Sequence, residues 1–520
     1  MNRWAFLWLL LIVGLGLAMR CPHLDERPMH NDEAVNAMKF GRLWEQGKYR
    51  YDPNEHHGPT LYYSTLAVAR LTSSPDFDHL TEIKLRLIPV VFGVGLILLL
   101  PLIADGLGRK ALFWAAIFTA MSPAFVFYSR YYIHEILLVF FTFLAMAAGW
   151  RYWRSRNLAW SLLLGAGLGL MDATKETFVI TLAAAGLALG LTQIWNRWLD
   201  ASAPPVPIRR MKLRHMTAAL GVWLVVAAVL FSSFFANASG LLDSLRTYGP
   251  WLSRAGGESP HIHSWSFYLH RLLWFHEAKG PVWSEALLLG LAVIGAAASF
   301  VRKNLGDANA GFGRFLALYT LLLAAAYSLI AYKTPWCLLS FWHGTILLAG
   351  LGAAVLLRSA HHLQGRLVWT VLLVCGTAHL GWQAYQAAIP YAADQRNPYA
   401  YAQTSRDILR LVGQLKSLAE AHPDGRRMVV KVMAPEADYW PLPWYLRQFR
   451  NVGWWDQLPA DPWATVMVVS SKFHAALDEK KSHLMVGYFA LRPQIFFELY
   501  VQADLWRTYL AKHPPKPQAD

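Results

Sequence analysis

Cysteine is scarce in this chain: 520 residues contain only Cys21, Cys337 and Cys375. That is too few for a disulfide framework. No CxxC pair occurs, so neither a zinc ribbon nor a haem attachment site is encoded. A Cys21–Cys337 bridge and free thiols both fit the count, and free thiols acting as small apolar residues are the reading adopted. Charge is sparse as well, at 16%, and lopsided, with 33 acidic against 48 basic residues and a net charge of +15. Such a balance raises the question of nucleic acid. The basic residues fall mainly in short loops between apolar blocks, a placement that suits topology and anionic membrane lipids, and no nucleic-acid partner is expected. No small-residue cleavage site follows the first apolar stretch, 4–19, and no small residues precede Cys21. That stretch is therefore read as a retained transmembrane helix, not as a signal peptide. No internal repeat is evident.

Apolar residues are abundant. They make up 55% of the chain, and Trp 24 and Tyr 22 are the counts expected where rings line membrane interfaces. A helix needs roughly 20 apolar residues to span a bilayer. Blocks of about that length are placed at 4–19, 85–104, 111–128, 134–150, 159–171, 178–195, 216–236, 285–300, 315–331, 338–357 and 367–389, about eleven spans in all. The stretch 61–71 is too short and is expected in the interface or as a re-entrant piece. With the N-terminus inside, the inner loops carry Arg109, Lys110, Arg151, Arg154, Arg156, Arg197, Arg209, Arg210, Lys212, Arg214, Arg302, Lys303, Arg314, Arg358 and Arg366. The short outer loops carry only Arg130, Lys175 and Lys333, which is the positive-inside asymmetry. Segments 20–84 and 237–284 and everything after 390 then lie outside. Pro204-Pro205-Val206-Pro207 reads as an inner linker.

The fold expected is a mainly α, polytopic transmembrane bundle over 1–390, followed by a small extramembrane α/β domain over 391–520. In that domain 406–421 has helical apolar spacing, and 428–433 and 465–469 read as buried strands.

Polar clusters fall on the predicted outer face. Asp32 and Glu33, in Met29-His30-Asn31-Asp32-Glu33, could simply serve a helix N-terminus, with Asn31 or Asp32 as the cap; a transfer reaction would use a carboxylate there as base. Glu55-His56-His57 could hold a divalent ion or close a hydrogen-bonded loop. Arg130 suits a phosphate oxygen, or snorkels, and Glu135 opens a helix. Asp172, Lys175 and Glu176 sit where charge is expensive, so Lys175 either pairs with Asp172 or meets an anionic lipid head. His261, His263 and Trp265 could line a sugar pocket or belong to an aromatic belt. Lys333 places another cation in a tight outer turn.

Carboxylates and cations on one face of a lipid-facing bundle suit a substrate that is half lipid and half charged sugar. In their order these motifs resemble those of the C-type membrane glycosyltransferase superfamily (GT-C), which includes protein O-mannosyltransferases and lipid A aminoarabinose transferases. They look closest to the prokaryotic flippase-activity-associated branch. The resemblance covers roughly 1–389 and rests on Asp32-Glu33, His57-Gly58-Pro59-Thr60-Leu61, Arg130 through Glu135, Thr174-Lys175 and Tyr332-Lys333-Thr334-Pro335-Trp336. The usual second proline is missing at His57–Leu61, and Glu135 stands where Asp is common.

The resemblance implies an enzyme that moves a hexose or pentose, with inversion, from a polyprenyl-phosphate sugar to a hydroxyl of a protein, lipid or glycan acceptor. The reaction would take place at the extracytoplasmic face of the inner (plasma) membrane. Asp32 would be the base, with Glu33 and Glu135 orienting. Arg130, Lys175 and Lys333 would hold the donor phosphate. His30, His57, His261, His263 and Trp265 would contact sugar or acceptor. No cofactor is required; a divalent metal ion at His57 and His261 or His263 is a further option. The alternative is a lipid-linked-glycan translocator, or its accessory, which breaks no bond and needs no base.

Overall fold

The computed structural model describes residues 3–54, 57–199, 212–256 and 261–514. Glu55, His56, Arg209, Arg210 and the proline linker at 204–207 lie outside them.

Each expected apolar block is helical, although 216–236 stops being helical at Phe231. Among the described residues eight helices are long and apolar enough to cross a membrane: Arg3–Arg20 (α1), Glu82–Leu107, Glu135–Ser155, Phe178–Leu199, Leu213–Phe231, Ala310–Leu329, Pro335–Ser359 and Leu363–Ala388. Two shorter apolar helices, Leu158–Asp172 and Ala286–Val301, join them. The block 111–128, expected as one span, is two helices, Arg109–Met121 and Pro123–Tyr128. Pro123 has no N–H to continue the first helix, and Ser122 caps the second by accepting from Phe125 N.

Pro335–Ser359 is the hub, with 94% of its apolar window inside the protein. Helices reach it through glycine: a Cβ on Gly352 would lie 1.9 Å from Leu291 O, and one on Gly295 would lie 2.2 Å from Leu348 O. The helices Ala286–Val301 and Leu339–Ser359 therefore meet backbone to backbone, as small residues permit inside membranes.

Two helices fill the segment 20–84, Asn31–Gln46 (α2) and Thr60–Leu71 (α3). α3 is the stretch expected in the interface. Its 12 residues extend about 18 Å, short of a bilayer, and it packs on α2 and on Glu82–Leu99 (α4). The segment 237–284 carries the short helices Gly240–Arg246, Tyr248–Gly256 and Phe267–Leu273.

The C-terminal region holds a five-stranded sheet of Val429–Met433 (β1), Asn451–Trp455 (β2), Val466–Ser470 (β3), His483–Arg492 (β4) and Ile495–Gln502 (β5). The order is β2-β1-β3-β5-β4. β1 runs parallel to β2 and β3, and β5 is antiparallel to β3 and β4. The helix Asp407–Ala421 buries Ile408, Leu411, Val412, Leu415 and Leu418, the face its spacing predicts. This region is fastened to the segment 20–84. Trp444 Nε1 donates to Glu82 (2.7 Å), Arg447 to Leu80 O (2.6 Å), Arg450 pairs with Asp78 (2.8 Å), and Met29 N donates to Tyr445 Oη (2.8 Å).

Candidate active site

The site begins at the N-terminus of α2. The cap is His30, not Asn31 or Asp32: its extended backbone lets Nδ1 accept from Asp32 N (3.1 Å). Its Nε2–H donates to Tyr401 O (3.0 Å), which fixes the proton on Nε2 and leaves Nδ1 free to cap. Glu33 completes a capping box by accepting from His30 N (3.0 Å). The same carboxylate receives Arg27 (2.9 Å), Arg86 Nε (2.9 Å) and Tyr132 N (3.0 Å), and it is fully buried. Burial alone would raise its pKa, but Arg27 and Arg86 outweigh that and hold it well below the usual carboxylate range. Asp32, one residue earlier, faces the other way. Its side chain is 44% exposed and accepts no hydrogen bond from the described residues; His30 Nδ1 stands 4.0 Å off.

Asp32 borders a cavity of about 270 Å³. One wall is the rest of the α2 face, Val35, Asn36 and Lys39. A second comes from a short pairing between the start of α3 and the turn after Leu158–Asp172. Gly58 N donates to Thr174 O (3.0 Å), Thr60 N to Ala173 O (3.1 Å), and the Thr60 and Thr174 hydroxyls meet at 2.8 Å. Gly58 is required there, since a Cβ would lie 2.1 Å from Ala173 O. This pairing presents His57, Lys175 and Glu176. Lys175 is paired with Glu135, both buried, and the Glu135 charge outweighs burial to hold the ammonium above its usual pKa. Asp172, the alternative partner expected for Lys175, instead accepts from Trp223 Nε1 (3.0 Å). His57 Nδ1 lies 3.0 Å from Glu176 Oε2. Burial would raise the Glu176 carboxyl, but His57 and then Lys175 bring it down to about 2. His134, Tyr327, Tyr332 and Trp336 close the cavity.

Of the residues expected at the site, Asp32, His57, Glu135 and Lys175 come together around this cavity, and the others do not line it. Arg130 donates to the carbonyls of Arg20 (2.8 Å), Pro22 (2.6 Å) and His23 (3.1 Å), and so closes the C-terminus of α1. Lys333 donates to His263 O (3.0 Å) and Ile330 O and is buried between two loops. His261 and His263 both meet the hydroxyl of Tyr401, at 2.8 and 3.0 Å. Trp265 is 65% exposed and is not part of the lining. Lys39, His134 and Glu176 line the cavity without having been expected there. For Lys39 a signal was present: Asp32, Val35, Asn36 and Lys39 follow i, i+3, i+4, i+7, one face of a helix. Tyr401 had none, lying more than a hundred residues from the loops it holds.

A divalent ion was weighed for His57 with His261 or His263. His57 lines the cavity and those two do not, being engaged with Tyr401. Among the described residues no three His, Cys, Asp or Glu side chains converge as metal ligands would. Glu55 and His56, the neighbours considered with His57, lie outside the described residues.

The sequence pattern of the family described as dolichyl-phosphate-mannose-protein mannosyltransferase matches residues 62–242. A sequence search of curated proteins gives no match. Among solved structures, ArnT from Cupriavidus metallidurans in the apo state superposes with a TM-score of 0.64 at 14% identity, covering 96% of this chain and 99% of that one. ArnT bound to undecaprenyl phosphate gives 0.60 at 15% identity, with 96% and 98% covered. The chain has the GT-C fold. The Archaeoglobus fulgidus oligosaccharyltransferase tethered to an acceptor peptide shares that GT-C architecture, with a TM-score of 0.56 at 12% identity over 88% of this chain and 64% of that one. The GT-C fold together with the long apolar helices makes this a multi-pass membrane protein.

Proposed function

We propose that the protein transfers a sugar from a polyprenyl-phosphate donor to an acceptor hydroxyl, at the extracytoplasmic face of the inner membrane, in one displacement with inversion. The observation that carries this reading is the contrast among the acids at the cavity. Glu135 and Glu176 are tied to Lys175 and His57, while Asp32 stands open on it. A base must reach the proton it takes, and Asp32 is placed to do so. The acceptor oxygen bonds to the anomeric carbon as the bond from that carbon to the phosphate oxygen breaks. Asp32 takes the hydroxyl proton, and polyprenyl phosphate leaves with the bond's electron pair. Its growing negative charge is met by Lys175, which Glu135 holds in place, with Lys39 on the same cavity. Glu33, His30, Arg130, Lys333, His261 and His263 act from behind, holding the loops that carry these groups.

Two features of the comparisons support the reading: the match to a mannosyltransferase family pattern, and a fold shared with a protein solved with undecaprenyl phosphate. The test is the anomeric configuration of the product made from a donor of known configuration, read by NMR. Inversion is expected in the wild type, with turnover lowered roughly 10²–10⁴-fold in Asp32→Asn. A retained configuration, or an Asp32→Asn protein that turns over normally, contradicts it.

A further inference from the structure

Two helices beside the cavity begin with a histidine, and the two use their rings differently. His30 has an extended backbone (ψ 160°), and its Nδ1 caps α2. His134, at the head of Glu135–Ser155, has a helical backbone (φ −77°, ψ −18°), and its side chain makes no cap bond. Its Nε2 donates to Gly58 O at 3.0 Å, so the ring proton is on Nε2 and Nδ1 carries a lone pair. The residue is fully buried, and Nδ1 has no hydrogen-bond partner among the described residues. A buried polar atom left unpaired is costly and calls for a partner.

His134 lines the cavity beside Asp32, His57, Glu135 and Lys175. None of these neighbours supplies the missing proton. Lys175 is committed to Glu135, and His57, whose ring centre is 5.2 Å from that of His134, directs Nδ1 to Glu176. A lone pair selects its ligand chemically. Phosphate oxygens are acceptors and cannot pair with it, whereas a hydroxyl can. In a sugar phosphate, then, the ring and not the phosphate belongs over His134.

We infer that His134 Nδ1 accepts a hydrogen bond from one hydroxyl of the transferred sugar and so makes the site select a sugar carrying that hydroxyl over its deoxy counterpart. This rests on the transferase reading. Two substitutions separate the two ring nitrogens. His134→Gln can keep a donor toward Gly58 O while losing the acceptor at the Nδ1 position. His134→Asn can keep an acceptor there while losing the bond to Gly58.

The experiment measures kcat/KM for protein in lipid vesicles, using whichever of undecaprenyl-phosphate mannose, glucose, galactose, arabinose or xylose the wild type turns over fastest, and each single-deoxy analogue of it. In the wild type one deoxy donor is expected to fall by roughly tenfold to a hundredfold. That penalty should largely vanish in His134→Gln and persist in His134→Asn. A folded His134→Gln protein with the wild-type deoxy penalty overturns the inference alone. So does a wild type that penalises no deoxy donor, a result that needs no variant. A wild type that turns over none of the donors removes the transferase reading and this inference together.

Discussion

A step of one residue along a helix turns the side chain by about 100°, and that step separates Asp32 from Glu33. The dipeptide announces two acids at a helix start and nothing about which one is available. That is decided by Arg86, which reaches Glu33 from α4, and by Arg27 beneath Tyr131. Glu33→Gln leaves two buried guanidinium groups without their anion. It is expected to destabilise the protein by roughly 3–5 kcal/mol, read as a lower melting temperature in detergent. Wild-type stability in that variant would contradict the framing role. Glu176 gives a second residue-level expectation. Its folded pKa of about 2 lies below the ordinary 4.5, so the unfolded chain binds the extra proton between these values. The stability it contributes is complete above about 4.5 and drains away as pH falls toward 2. Melting temperatures measured down an acid series should fall more steeply for the wild type than for Glu176→Gln.

The elements were legible to differing degrees, for physical reasons. Apolar blocks declare membrane helices because length and hydropathy are local properties, and the helix Asp407–Ala421 declares itself by spacing. The break at Ser122–Pro123 was readable from the proline but was covered by the apolar run around it. β1 and β3 could be read from their β-branched runs, β3 being buried throughout and β1 in part; β4 and β5 form a hairpin with mixed burial, Leu484, Met485 and Tyr488 facing out, and its pattern does not stand out from the surrounding chain. At the site, the α2 face could be read from spacing, whereas the pairing of Gly58 and Thr60 with 173–174 depends on contact across more than a hundred residues. Gly58→Ala tests that pairing. Its Cβ would collide with Ala173 O, so the loop must move and take His57 and the His134 bond with it. The expected outcome is loss of activity together with a lower melting temperature. A fully active, equally stable variant would show that the pairing does not position the cavity.

At the scale of the whole molecule, the C-terminal region is part of the frame around the cavity. The stretch 397–404 packs against the loops that carry His30, His261 and His263. Tyr399 donates to Glu285 (2.7 Å), Tyr128 to Tyr399 O (2.9 Å), Tyr131 to Gln403 (2.8 Å), and Tyr401 joins His30, His261 and His263. With Tyr445 on Met29, two separate contacts from this region bear on the loop just before Asp32. These contacts are not legible in the sequence, because composition marks where a chain changes character and not where it returns to pack. These contacts bear on the proposed reaction, in which Asp32, open on a cavity also lined by Lys39 and Lys175, deprotonates an acceptor for sugar transfer. The most direct measurement is release of free polyprenyl phosphate, by mass spectrometry, from a panel of polyprenyl-phosphate sugars in vesicles, with and without an acceptor extract, for wild type beside Asp32→Asn. The account predicts release that requires both the acceptor and Asp32. No release from any donor, with the sugar lipid nonetheless crossing the vesicle membrane in wild type and Asp32→Asn alike, would contradict it and point to a translocator.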